Sequence, residues 1–345
     1  MATGHTPRRG ASRIWQIKAS TLCNLRCRYC YEWDRLSDKR RMPLRVWEDT
    51  FRTIRAGVQD DTGTGHHLIV WHGGEPSLLP PDYVLDVIAL QRSILGREIA
   101  DGRVRNAVQT NLYRWTESLA IFGGAGFSFS VSTDLFPGGR ALPNGGDPER
   151  DVLANLRALA VSDVPCGVLL VLGRHNHLRL VEAYEILVDV GVQWLAIAPV
   201  FAPGNAAPIG DLVLDPGEVT AALTRLAKHR GRGPHHILVS PLDRAAETYT
   251  RHLAGRQSDR AVQRIRVDPD GSRTWSPTHA QRERTCGPCR FKAACGGAAL
   301  NDAPATAGGR CQVDYPLLEA LDRFEPGVGS AVGTAMAVDR ISASN

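Results

Sequence analysis

The chain has 345 residues, 43% of them hydrophobic and 22% charged, with a net charge of +5. That is room for one large α/β domain and a small appendage. No apolar run is long enough to cross a bilayer, and residues 1–10 lack the apolar core of a secretion signal, so the expectation is a cytoplasmic protein with no membrane partner. Aromatic residues make up 6% and do not interleave with basic ones, which argues against nucleic-acid binding. Two basic clusters, Lys39-Arg40-Arg41 and His229-Arg230-Gly231-Arg232, read as solvated faces or as docking patches for an acidic peptide.

Short apolar runs at 14–19, 68–71, 104–108, 127–131, 167–172 and 194–200 are rich in β-branched and aromatic residues, as buried strands are. Amphipathic stretches at 44–58, 83–95, 147–159, 178–188 and 218–228 predict helices between them. Strand followed by helix, repeated, gives right-handed βαβ units on a parallel sheet. Eight units close a full barrel, so six predict an α/β fold with a partial (β/α)6 TIM-like barrel over 12–235, its chemistry at the C-terminal ends of the strands. Further on, 237–239 reads as a possible extra strand, 244–253 as a helix, and 265–275 as a hairpin turning at Gly271. A small Cys-rich extension is expected over 236–320, and the small, polar residues of 321–345 read as a tail.

Eight cysteines in a cytosolic chain point to metal rather than disulfides. Cys23, Cys27 and Cys30 form a CxxxCxxC motif just past the first strand. On the residues alone this fits a zinc knuckle with a distant fourth ligand or an iron–sulfur site with one iron left open. Cys286, Cys289, Cys295 and Cys311 form a second set, a CxxC-x5-C with a later cysteine, which suits zinc or iron–sulfur equally. Cys166, at the start of the fifth strand, reads as a small buried residue or as a hydrogen-atom donor. Trp71-His72-Gly73-Gly74-Glu75-Pro76 follows the second strand; two glycines allow close backbone approach, and a carboxylate with carbonyls accepts from an ammonium. Gln109-Thr110-Asn111 ends the third strand, Ser132-Thr133-Asp134 the fourth, and Arg174 the fifth. His175 and His177 flank Asn176 just beyond.

With its three-cysteine motif followed by Gly73-Gly74-Glu75-Pro76, the sequence resembles the radical S-adenosylmethionine (SAM) superfamily. The resemblance implies a [4Fe–4S] cluster on Cys23, Cys27 and Cys30 whose open iron chelates SAM and cleaves it to an adenosyl radical. It implies Tyr29 beside the adenine, and Gly73, Gly74, Glu75 and Pro76 at the SAM amino group. Softer correspondences place Gln109, Asn111, Ser132 and Arg174 around SAM, Arg174 at its carboxylate. Asp134 is the leading polar catalytic candidate, and Cys166 a further one.

The second cysteine set looks like the SPASM extension of this superfamily, which carries auxiliary [4Fe–4S] clusters. Two ligands of the inner auxiliary cluster are missing, at the places of Ser276 and Ala299, so one auxiliary cluster is expected, on Cys286, Cys289, Cys295 and Cys311. The run from Cys30-Tyr31-Glu32 to Gln109-Thr110-Asn111 looks most like the SPASM peptide maturases that form cyclophanes, which join an aromatic ring to the β-carbon of another residue in a ribosomally made precursor peptide. A one-electron reductant such as flavodoxin or ferredoxin is the implied protein partner. The alternative is an enzyme that dehydrogenates or epimerises an aminoglycoside or nucleoside, since only about a dozen residues precede the barrel as a place to grip a peptide leader.

Overall fold

The computed structural model describes residues 13–60, 66–200, 209–230, 237–258, 263–276, 284–297, 311 and 313–323. Nine strands form one sheet in the order β7-β6-β5-β4-β3-β2-β1-β8-β9. They are β1 (Arg13–Ser20), β2 (His67–Gly73), β3 (Val104–Thr110), β4 (Ser128–Ser132), β5 (Cys166–Leu172), β6 (Trp194–Pro199), β7 (Leu238–Ser240), β8 (Gln263–Val267) and β9 (Arg273–Ser276). Every neighbouring pair is parallel except β8–β9, an antiparallel hairpin. The helices between them are α1 (Leu44–Asp60), α2 (Pro81–Ala100), α3 (Glu117–Gly124), α4 (Glu149–Ala160), α5 (Leu180–Val190), α6 (Pro216–Arg230) and α7 (Leu242–Leu253). This is the expected α/β partial barrel, with two additions. The 237–239 run is a true strand, parallel to β6. The hairpin of the extension returns to the other side of the sheet and pairs β8 in parallel with β1.

Strand alternation builds the core. In β1, Trp15, Ile17 and Ala19 are buried, and in β2, Ile69 and Trp71. Helix α1 meets them with Trp47, Phe51, Ile54 and Val58, spaced at three, four and seven residues along one stripe. Trp47 stacks on Trp71 at 4.4 Å, and Phe122 and Phe127 meet Trp71 edge-on at 4.9 and 6.1 Å. Tyr83 ties this layer to the chain just before α1: its hydroxyl accepts from Trp47 Nε1 at 2.7 Å and donates to the Met42 carbonyl at 2.6 Å.

Met42 ends a long loop that leaves β1 at Ser20 and returns to it. The Met42 amide donates to the Ala19 carbonyl at 2.8 Å, and Ser20 Oγ donates to the Arg40 carbonyl at 2.9 Å. The loop is therefore closed at its base by the core. Beyond β9, the short helix Lys292–Cys295 and the helix Asp314–Arg323 pack against α7. The second is fixed by a bidentate ion pair, Arg244 to buried Asp314 at 2.7 Å on both oxygens. No helix among the described residues is long and apolar enough to cross a membrane. The tail beyond residue 323 lies outside the described residues.

The Trp47–Trp71 stack predicts a measurable hierarchy. Trp71→Ala empties the centre of the layer and lowers stability by about 3–5 kcal/mol in urea unfolding. Trp71→Phe lowers it by much less, because the buried Trp71 Nε1 has no hydrogen-bond partner to lose.

Candidate active site

All three cysteines of the first motif sit on the loop closed by Ser20 and Met42, over the C-terminal ends of the strands. Three contacts shape the loop around them. The Cys23 amide donates to the Leu36 carbonyl at 3.0 Å, the Cys30 amide to the Cys27 carbonyl at 3.0 Å, and the Leu25 amide to Cys23 Sγ at 3.4 Å. Two more bonds clamp the loop to the segment after β4: Arg26 N to Ala141 O at 2.7 Å and Arg28 N to Gly139 O at 2.9 Å. They straddle Cys27 and Arg140, which lie opposite each other.

Gly73 and Gly74 explain how the second motif meets the first. Gly74 N donates to Ser20 O at 2.9 Å and Glu75 N to Leu22 O at 2.8 Å, so the β1–β2 ladder runs on into the cysteine loop. A Cβ on Gly73, at φ +132°, falls 1.9 Å from Ser20 O, and one on Gly74 falls 2.1 Å from Leu22 O. Only glycine fits either place. The close approach is therefore backbone on backbone, a reason for the glycines that the sequence reading did not give.

Glu75 is buried and joins the ends of β2 and β3. Oε1 accepts from Ser77 N at 2.9 Å and Thr110 Oγ1 at 2.6 Å, and Oε2 from Asn111 N at 2.6 Å. Burial pushes its carboxyl upward while these donors pull it back. Pro76 begins the turn that Glu75 caps. Asn111 completes the circuit, its Nδ2 donating to Asn24 Oδ1 at 2.7 Å and lying 3.9 Å from Cys23 Sγ. Gln109 and Ser132, both on the open face of the sheet, hydrogen-bond each other at 3.2 Å.

Asp134 is fully enclosed. Its Oδ1 accepts from Tyr29 Oη at 2.7 Å and its Oδ2 lies 2.9 Å from His175 Nε2. Gly139 is packed so tightly here that a Cβ would sit 2.2 Å from Asp134 Oδ2. Thus the proposed catalytic carboxylate holds Tyr29 and His175, and both of its oxygens are engaged. Arg174 lies apart, in a bidentate pair with Glu218 at 2.7 and 2.9 Å on the half-exposed side of α6. Cys166 is buried in the hydrophobic core, in step with Val168 and Leu170 on the helix-covered face, and burial pushes its thiol up to about 11.

Sequence reasoning missed Arg140 and Glu149. Arg140 is buried, donates to the Ser132 carbonyl and lies close enough to Cys27 to act on its thiol, with Glu149 Oε1 at 3.6 Å from its Nε. That Nε has no hydrogen-bond partner. Glu149 in turn accepts from Thr133 Oγ1, from Asp134 N at 3.3 Å and from Leu135 N at 3.1 Å. A Gly-Gly-Arg run shortly after a strand end was the available signal, and it carries no period.

The residues suit an iron–sulfur cluster. Burial, the largest cause, pushes the thiols of Cys23 and Cys27 up to about 12 and about 11, so they remain protonated until a metal displaces the protons. Beside the cysteines stand a buried cation with an orphaned donor, Arg140, and amide donors aimed at Cys23 Sγ, which fit a ligand with a carboxylate and an anionic cluster.

Two cysteines of the second set, Cys286 and Cys289, line a cavity of about 570 Å³ together with Arg290, Lys292 and Gly296. Cys289 N donates to Cys286 O at 3.0 Å, and Tyr315 N to Cys311 Sγ at 3.1 Å. The Cys311 thiol is pushed up by burial first, then by Asp314, with Cys295 and Cys289 close enough to add to it. These four thiols share one locality. Ser276 ends β9, and Ala299 lies outside the described residues.

Residues 17–187 match the family model of the Radical SAM superfamily. The chain is 26% identical over 263 residues to the serine-type anaerobic sulfatase-maturating enzyme of Klebsiella aerogenes, covering 72% of this chain and 62% of the relative's length. Among solved structures it resembles anSMEcpe with bound AdoMet and Cp18Cys peptide, at TM-score 0.58 and 20% identity over 77% of this chain and 74% of that one. Streptococcus suis SuiB bound to precursor peptide SuiA matches at TM-score 0.56 and 13% identity, over 91% of this chain and 67% of that one. At such identities the two structures establish the shared fold.

The glycine contacts give a sharp test. Gly74→Ala forces Leu22 away and disorders the cysteine loop, so the anaerobically reconstituted variant holds less than half the iron of the parent. Gly96→Ala, whose Cβ meets nothing within 4 Å, leaves iron content unchanged.

Proposed function

Because this chain carries a radical SAM domain, we propose that it is a peptide-modifying radical SAM enzyme that joins an aromatic ring to the β-carbon of another residue in a ribosomally made precursor peptide. The observation that carries the reading is the cysteine loop itself, three thiols held by the Gly73–Gly74 strand end over the open barrel mouth. The likeness to a maturase and to two structures with bound peptides supports a peptide as substrate. When bound, the cluster and SAM supply the 5′-deoxyadenosyl radical, the agent that removes a hydrogen atom from an unactivated carbon.

The chain's own residues do the rest. Cys23, Cys27 and Cys30 hold the cluster, and the Leu25 amide and Asn111 Nδ2 lie against the Cys23 sulfur. Arg140, buried beside Cys27, takes the SAM carboxylate; Arg174 is engaged with Glu218 instead. Tyr29 forms the adenine wall, locked by Asp134, which acts through Tyr29 as a positioning residue. The Gly73–Gly74 backbone and the Glu75–Pro76 turn border the amino group, and the Gln109–Ser132 pair lines the floor. Closing a ring to β-carbon bond removes two hydrogens from the peptide: one as an atom from carbon to the adenosyl radical, the other from the ring as an electron and as a proton that an acidic or histidine side chain takes up. Cys286, Cys289, Cys295 and Cys311 hold the auxiliary cluster that fits the role of electron acceptor. A flavodoxin or ferredoxin supplies the reducing electron at the first site.

Anaerobic, reduced protein incubated with SAM yields 5′-deoxyadenosine, and Cys27→Ala abolishes it. Reconstituted protein carries about eight irons, as two four-iron clusters require; about four overturns the auxiliary site. Arg140→Ala weakens SAM binding by about tenfold or more, the loss of one charge-assisted pair, whereas Arg174→Ala leaves it within about twofold. A co-expressed precursor peptide loses the mass of two hydrogen atoms; retention of its full mass overturns the cross-linking reading.

A further inference from the structure

Strands β8, β1 and β2 are neighbours, and in each the core residues alternate with others. Ile17 and Ala19, Ile69 and Trp71, and Ile265 and Val267 are buried on the helix-covered face. Lys18, His72, Arg264 and Arg266 stand between them and face the open side of the sheet. Register sets Lys18 beside His72 and Gln16 beside Arg266. One wall of the barrel interior thus carries three cations, Lys18, Arg264 and Arg266, around His72, at the level where the cysteine loop begins.

The wall's acids are concentrated on Lys18. Its Nζ bonds Glu32, and lies 2.8 Å from Asp268 Oδ1 in a charge contact that is not an aligned hydrogen bond. Glu32 also faces Arg35 at 3.5 Å. Arg266 is placed differently: its guanidinium lies 5.4 Å from the centre of the Tyr31 ring, which Lys18 Nζ approaches at 5.3 Å. Arg266 Nε and His72 Nδ1 are both buried without a hydrogen-bond partner. Burial, followed by Lys18, Arg266 and Arg264, holds the His72 imidazole down at about 3, so every charge acting on it is positive. A guanidinium whose Nε is buried and unpartnered, and an imidazole with unmet hydrogen-bonding capacity, in a positive field, form a receptor for a planar anion.

We propose that this wall selects precursor peptides carrying an aspartate or glutamate next to the modified residues, the side-chain carboxylate docking between Arg266 and His72 under the Tyr31 ring. The inference rests on the reading of the chain as a peptide-modifying enzyme. It adds a specificity element contributed by the extension, since Arg266 lies on β8.

The test uses the full, cluster-loaded chain, immobilised anaerobically with SAM, and a displayed library of random peptides. Among captured peptides the wild type enriches Asp and Glu by about tenfold over the input, the discrimination of one charge-assisted pair. Arg266→Lys keeps the enrichment, Arg266→Gln abolishes it, and Arg266→Glu turns it toward Lys and Arg, a gain that misfolding does not mimic. Capture of peptides with no acidic enrichment, or an unaltered preference in Arg266→Glu, overturns this inference and leaves the peptide reading standing. Failure of every form to retain peptide overturns the peptide reading, and this inference with it.

Discussion

The site depends on one close approach: the end of β2 pressed against the exit of β1. Ser20, Thr21 and Leu22 turn from strand into cysteine loop where Gly73 and Gly74 pass, at distances no side chain tolerates. The contact continues the parallel ladder for two further hydrogen bonds and so fixes where Cys23 begins. Glu75 then carries the constraint sideways to β3 through Thr110 and Asn111, and Asn111 returns it to Asn24 and Cys23. Three strand ends and one loop therefore form a closed hydrogen-bonded circuit. A loop this long and rich in irregular backbone would otherwise be costly to order.

Two buried carboxylates apply the same device at two places. Glu75 accepts from two backbone amides and the Thr110 hydroxyl at the ends of β2 and β3. Glu149, at the start of α4, accepts from two backbone amides and the Thr133 hydroxyl at the end of β4. In both, burial penalises the charge and the donors offset the penalty. Glu149 has the Arg140 guanidinium as well, so the segment that clamps the cysteine loop is anchored by an ion pair. Hydrogen bonds to charge, at about 1.5–3 kcal/mol each, are strong enough to hold strand ends that no helix covers.

Much of this was legible in the sequence because it is periodic or punctuated. Six strands showed as apolar runs, and the amphipathic helices as stripes such as Trp47, Phe51, Ile54 and Val58. Both cysteine sets and the Gly73-Gly74-Glu75-Pro76 turn were found by spacing. Helix α3 was not, since Glu-Ser-Leu-Ala-Ile-Phe-Gly-Gly is short, nearly apolar all round and ends on two glycines. Arg140 and Glu149 escaped because an irregular loop has no period, and a first-turn glutamate reads as an ordinary helix-end acid. The reason for the two glycines lay in a neighbouring strand, beyond the reach of any local pattern. The charged wall did leave a trace: Gln16 and Lys18 alternate with Trp15, Ile17 and Ala19, and Arg264 and Arg266 with Ile265 and Val267. A cation at every second place in a strand whose other face is core must lie on the open face.

That trace bears on how the extension relates to the barrel. A hairpin that merely carried cysteines could sit anywhere on the surface. Here β8 takes the edge of β1, the strand that launches the cysteine loop, and puts Ile265 and Val267 into the same core as Ile17. Its other face completes the interior wall at Lys18, through Asp268, and at Tyr31, through Arg266. The residues proposed to select the substrate are thus divided between the loop that bears the first thiols and the segment that leads to the second set. On the proposed reading, a change in the extension alters what the barrel accepts without touching the Gly73–Gly74 contact, so selectivity can vary while the cysteine loop stays as its glycines require.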